Sequence, residues 1–153
     1  MKVQLIPIAN SVQENKQFDA YPLCRETLAM SVEYYGKVGF NPPWICYFAL
    51  EERVLVGSGG FKGKPREGRV EIAYGTFEQH QRKGIGTAIC NELIRTALEH
   101  DPSVRICART LPDNQGSIGV LRKNNFRYTG LVNDEEDGEV CEWEFIHLSG
   151  NGM

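Results

Sequence analysis

The stretch "HQRKGIGTA", His80 to Ala88, sets two cations and two glycines where a helical pattern is about to begin. A helix N-terminus is the positive end of the macrodipole and normally prefers acidic side chains. Its first N–H groups lack partners, and Ser, Thr, Asp or Asn usually caps them. From Phe77 to Gly86 none of these four residue types occurs. Glycines let the backbone approach a ligand, and the exposed N–H groups then form an anion nest. Arg82 and Lys83 add positive charge to the same place, so the loop asks for an anion, and a pyrophosphate suits it better than a single carboxylate.

Three phosphate-binding patterns compete for these residues. A Walker A loop needs G-x-x-x-x-G-K-[ST], and the chain contains no such string. A dinucleotide fingerprint would start with Gly84 and Gly86, but Ile89 stands where its third glycine belongs. The strand after the helix, "VRICARTL", also ends with no acidic residue to hold a ribose. The third pattern is Q-x-x-G-x-G, made by Gln81, Gly84 and Gly86 between a strand and a long helix.

The surrounding elements must hold this loop in place. "VQLIPI" reads as a first strand. A helical region follows to about Val38, with a restart at Pro22. "WICYFALEE" and "RVLVGSGGFKG" are separated by almost nothing and form a hairpin. "RVEIAYGTF" is β-rich without clean alternation, which suits a central strand. From about Arg82 to His100 the pattern is helical, with a broad apolar face made by Ile89, Cys90, Leu93, Ile94, Ala97 and Leu98. "SVRICARTL" is a strand, "NQGSIGVLRKNN" a short helix opened by Asn114, and "FRYTGLV" and "EVCEWEFIHL" close the chain around the turn "NDEEDG". The order β-αα-βββ-α-β-α-ββ implies a mixed sheet flanked by helices.

Gln81-x-x-Gly84-x-Gly86, preceded by "VEIAYGTF" and followed by an amphipathic helix, resembles the acetyl-CoA motif of the GNAT superfamily of N-acetyltransferases. A second block, "RTLPDNQGSIGVLRKNNF", resembles the family's strand-then-helix segment, in which an Asn opens the helix and a Phe ends the block. The resemblance covers roughly Val3 to Leu148. It is strongest to the ribosomal-protein N-terminal acetyltransferase-like branch, which also contains enzymes acting on small amines. It implies an α/β (α+β) fold with a mostly antiparallel sheet of six to seven strands and helices on both faces. One domain over residues 1–148 is expected, with a disordered tail at 149–153.

The resemblance further implies acetyl-CoA as donor, with the pyrophosphate on backbone amides of Arg82, Lys83, Gly84, Ile85, Gly86 and Thr87. The pantetheine arm would lie along Tyr74, Gly75 and Thr76. Asn114 would bond the pantetheine amide, or cap its helix, or both. The reaction is attack of a neutral amine on the thioester. An amine of pKa near ~10 must first lose a proton. Glu71 is the candidate base, directly or through a water; the alternative is an ordinary ion pair. Many relatives carry a Tyr at the place of Leu121 to protonate the thiolate, so Ser117, one turn earlier, is the candidate to hold a water in that role. Arg109 stands where some N-terminal acetyltransferases have a Glu base.

The implied acceptor is a small-molecule amine or a protein N-terminus, bound between the early helices and the last turn. The carboxylates Asp134, Glu135, Glu136 and Asp137 could steer a cation there or simply solvate a hairpin tip. Tyr34, Tyr35 and Trp44 line the same groove or belong to the core. A homodimer is a common arrangement among relatives. A non-catalytic acyl-CoA-binding regulatory module and a nucleotide-phosphate binder are the rival functions.

The totals narrow the field further. The chain has 153 residues, about one domain's worth, and 41% of them are hydrophobic, enough for an ordinary core. A net charge of -3 argues against a general nucleic-acid binder. No apolar run approaches the ~20 residues that span a bilayer, and "MKVQLIPIANS" lacks a secretory pattern, so a cytoplasmic protein is expected. The five cysteines are odd in number and contain no C-x-x-C pair, which points to buried free thiols. The three histidines show no ligand spacing, so no metal site is expected.

Overall fold

Seven strands and three α-helices form the computed structural model, which describes residues 2–147. The tail at 149–153, expected to be disordered, lies outside those residues, as does Leu148. The strands are β1 (Gln4–Pro7), β2 (Cys46–Glu51), β3 (Val54–Phe61), β4 (Arg69–Thr76), β5 (Arg105–Thr110), β6 (Phe126–Asp134) and β7 (Gly138–Phe145). The helices are α1 (Arg25–Val38), α2 (Ile85–His100) and α3 (Gln115–Lys123). One sheet holds all seven strands in the order β1-β2-β3-β4-β5-β7-β6.

Neighbours in this sheet are antiparallel except β4 and β5, which run parallel because helix α2 carries the chain back between them. Their pairing runs from Arg69↔Arg105 to Ile72↔Ala108 and stops there. Yet β4 continues to Thr76 and β5 to Thr110. The two strands therefore diverge, and a V-shaped opening forms in mid-sheet.

Strand β3 carries Gly57 and Gly59 on the face that receives α2. A Cβ at Gly59 would stand 2.8 Å from Ile89 and 3.0 Å from Leu93, so only a bare backbone lets the helix lie this close. Ser58 and Gly60 alternate to the opposite face, where Ser31 and Tyr34 of α1 stand over them. Helices thus cover both faces, as the resemblance implied. Tyr35 pins α1 to the first two strands: its hydroxyl donates to the Ile8 carbonyl at 2.8 Å and accepts from the Cys46 N–H at 2.9 Å. Ile72, Ile85, Ile89, Leu93, Ile106 and Leu121 are buried around α2 and α3.

Two local departures from the sequence reading have physical causes. Helix α2 begins at Ile85 rather than near Arg82, because Arg82 (φ 66°) and Gly84 (φ 80°) are left-handed and cannot continue a helix. The early helical region is two short 3-10 turns, Gln13–Phe18 and Pro22–Cys24, before α1 starts at Arg25. Buried Asn15 bonds the Ala9 N–H and the Ala9 and Ser11 carbonyls, so a side chain takes over bonds that a longer helix would make. The β2–β3 hairpin closes through Glu52 (φ 44°) and Arg53 (φ 70°), two left-handed residues of the kind a two-residue hairpin loop demands.

All five cysteines are free, and Cys24, Cys90 and Cys107 are buried. Burial pushes the Cys24 thiol up to about 11 and that of Cys90 to about 12. Among the described residues no helix is long and apolar enough to cross a membrane.

Candidate active site: two cavities that meet on a splayed strand

Helix α2 starts without a cap. Gly84 occupies the N-cap position, no side chain accepts from the first turn, and that turn holds no acidic residue. Left-handed residues at Arg82 and Gly84 are of the type that gathers successive amides into an anion nest. Gln81 fixes the loop to the end of β4, its side-chain amide donating to the Thr76 carbonyl at 3.4 Å. From the other side, buried Asn124 ties the end of α3 to this turn by donating to the Thr87 carbonyl at 3.2 Å.

Between the loop and α3 lies a cavity of about 750 Å³. Its walls are Gln81, Arg82 and Gly84 to Thr87 on one side, Asn114 to Ser117 with Gly119, Val120 and Lys123 on the other, and Tyr74, Gly75 and Thr76 at its inner end. Of the residues expected to form the donor site, only Lys83 is absent from this lining. Lys123 was not anticipated, since a cation in the last turn of a helix reads as an ordinary dipole partner. Asn114 is a true cap: its Oδ1 accepts from the Ser117 N–H at 3.1 Å. Uncapped amides beside Arg82 and Lys123 suit an anionic group, and the inner end of the cavity runs along β4 at Tyr74, Gly75 and Thr76.

A second cavity, of about 430 Å³, opens on the α1 face of the sheet. Thr27, Met30, Ser31 and Tyr34 form its wall, Ser58, Gly60, Ala73 and Gly75 its floor, and Lys62 and Glu136 its charged rim. Tyr34 alone of the three aromatics considered lines it. Tyr35 is bonded into the core, and Trp44 packs edge-on against Phe61 and His100. Tyr74 and Gly75 line both cavities, so the two spaces meet at the divergence of β4 from β5.

Glu71 lines neither cavity. Its carboxylate pairs with Lys62 at 2.9 Å and with Arg109 at 3.9 Å. Burial works against the Lys62 ammonium, but the Glu71 carboxylate, with Asp134 and Tyr34 adding to it, offsets that and raises the lysine pKa. Arg109 is a bridge: it holds Asp134 at 2.9 Å and Glu142 at 3.3 Å. Asp134 in turn accepts from the N–H groups of Glu136 and Asp137, and Arg109 together with these donors holds its carboxyl below the usual range. The acidic turn therefore divides its work. Asp134 builds the turn, and only Glu136 of the four carboxylates faces the second cavity.

Ser117 lies on the wall of the larger cavity, and its carbonyl accepts from the Tyr74 hydroxyl at 3.4 Å. The resemblance gives Tyr74 a backbone role only. Burial drives its phenol pKa far up, so the hydroxyl keeps its proton at neutral pH. Leu121 is fully buried in the core, so this helix presents no phenol of its own at that position.

The family model described as an acetyltransferase (GNAT) domain matches residues 10–127. The chain belongs to the GNAT acetyltransferase family. An uncharacterized N-acetyltransferase, YjdG, of Bacillus subtilis (strain 168) is 34% identical over 130 residues, which is 84% of this chain and 71% of that protein. Among solved structures, RimL, a ribosomal L7/L12 alpha-N-protein acetyltransferase in complex with coenzyme A, superposes with a TM-score of 0.69 at 17% identity. The match covers 95% of this chain and 94% of that one. The microcin C7 self-immunity acetyltransferase MccE, in complex with acetyl-CoA and AMP, gives a TM-score of 0.71 at 16% identity, over 95% and 93% of the two chains. At these identities the structures bear on the fold. As a GNAT acetyltransferase the chain uses acetyl-CoA as donor. Among the described residues no group of His, Cys, Asp and Glu side chains gathers to hold a metal ion.

Proposed function

We propose that this GNAT enzyme transfers the acetyl group to a primary amine of a small molecule or of a protein N-terminus, the amine entering through the second cavity. The observation that carries this reading is the shared pair Tyr74 and Gly75. A donor held along β4 and an amine lying over the glycine-rich floor of β3 and β4 meet at one point of the strand. Acetyl-CoA brings an activated thioester to that point; the protein's task is to align, to accept one proton and to return one.

The loop amides of residues 82–87 and the side chains of Arg82 and Lys123 hold the phosphates, while Asn114 combines capping with a contact to the pantetheine arm. The backbone N–H groups of β4 beyond Ile72, released from pairing with β5, steady the carbonyl oxygen as it gains charge. Glu71, linked to the second cavity through Lys62, receives the proton of the incoming ammonium by way of water. The nitrogen's lone pair forms the new C–N bond, the C–S bond breaks, and the nitrogen sheds its second proton, which replaces the one given to the departing thiolate. The departing thiolate takes its proton on the α3 side, where the Tyr74 hydroxyl and a water on Ser117 are the donors within reach.

The test is release of free thiol from acetyl-CoA across a panel of small primary amines and N-terminal peptides. Turnover with at least one class supports the reading. Tight CoA binding with no turnover of any amine overturns it.

A further inference from the structure

Gly75 has no structural reason to be glycine. It sits inside β4, where glycine weakens a strand and marks either a bulge or the close approach of something else. Its backbone is ordinary, since it is absent from the glycines with positive φ. A Cβ built on it meets nothing within 4 Å. Neighbouring glycines are explained: at Gly57, Gly59 and Gly60 a Cβ would collide with packed neighbours, and Gly84 is left-handed. Register places Gly75 opposite Ser58, so a side chain there would point to the α1 face, into the second cavity. The next residue on that face is the small, exposed Ala73. The space over Gly75 is thus continuous with walls made by Met30, Tyr34 and Cys46.

We propose that this vacancy is an acyl pocket: the enzyme accepts thioesters of coenzyme A with three- and four-carbon acyl groups as well as acetyl-CoA. The inference rests on the donor site proposed above. The acyl carbon lies where the two cavities meet, the room for further methylenes lies directly over Gly75, and the amine approaches from the Gly60 and Lys62 end of the same floor. The transfer itself is unchanged, with a C–N bond formed, the C–S bond broken, and the thiolate protonated. Each additional methylene leaves water for an apolar wall, which strengthens binding by up to about fourfold when burial is complete.

Dissociation constants for CoA, acetyl-CoA, propionyl-CoA and butyryl-CoA test this without knowledge of the acceptor. The wild-type protein should bind butyryl-CoA at least as tightly as acetyl-CoA, with a gain of roughly two- to tenfold, allowing for a half-open site. Gly75→Ala should shrink that ratio, and Gly75→Val should invert it by tenfold or more. Ala73→Val, next on the same face and in the floor of the same cavity, should shrink the ratio as well. Weaker binding of butyryl-CoA than of acetyl-CoA by the wild-type protein, or the same ratio in Gly75→Val, overturns the acyl pocket. Failure of CoA itself to bind overturns the donor site instead, so the two failures are distinct.

Discussion

Substitution of Gly84 separates the role of the loop in folding from its role in binding. The residue is left-handed (φ 80°, ψ 8°) and caps α2, and a Cβ there meets no atom within 4 Å. Gly84→Ala therefore pays only for backbone strain, about 1–2 kcal/mol of stability, with no clash to add. Gly84→Asp costs less in folding, because Asp tolerates the left-handed region and serves well at an N-cap. Its carboxylate, however, enters the cavity that receives the pyrophosphate. Two unit charges 4 Å apart interact by about 4 kcal/mol at an effective dielectric of 20. Halving this for the open mouth and the nearby Arg82 leaves about 2 kcal/mol, a loss of roughly thirtyfold in CoA affinity. The Asp side chain also occupies the N–H groups that the phosphates would use, so the total should exceed a hundredfold. Calorimetric titration with CoA, beside thermal melts of both variants, reads the two effects separately. A well-folded Gly84→Asp protein that binds CoA within threefold of wild type would refute the assignment of the nest.

Three further outcomes follow from the same geometry. Glu71→Gln removes the carboxylate facing Lys62 and Arg109, and turnover should drop at least tenfold with a displaced pH profile and little change in CoA affinity; steady-state kinetics across pH checks it, and wild-type turnover would remove Glu71 from the mechanism. Gly59→Ala drives a methyl group toward Ile89 and Leu93 at 2.8 and 3.0 Å and should cost about 1–3 kcal/mol, read by denaturant unfolding; an unchanged midpoint would mean that α2 lies farther from β3. Asp134 has a depressed folded-state pKa, so it stabilises the protein above its ordinary value of 3.8 and that contribution is lost as pH falls through the folded value. Asp134→Asn should thus lower stability at pH 7 and flatten the acid limb below pH 4, while raising the acceptor KM by freeing Glu136; an acid limb identical to wild type would contradict the ion pair with Arg109.

Much of this architecture follows from local rules that act within a few residues. A glycine-bearing, uncapped helix start asks for an anion, so Gln81, Gly84 and Gly86 mark the loop. The preceding strand and the Asn114 block carry the resemblance to an acetyl-CoA motif. Asn114 is equally legible, because an N-cap is a contact over three residues, here to the Ser117 N–H. The hairpins and the crossover of α2 followed from spacing in the same way. What spacing does not carry is which atoms from distant segments face each other. Lys62, Glu71, Arg109 and Asp134 are scattered over more than seventy positions, and only the sheet register joins them into one charged chain. Glu136 lines the second cavity while Asp134, held by Arg109, builds the turn. Tyr74 offered a backbone role in sequence, and its hydroxyl gained another when α3 packed beside it. The end of β4–β5 pairing at Ile72 and Ala108 has no local signature at all. It exists only in the pairing of two strands that the chain brings side by side across α2, and it is where the two cavities meet.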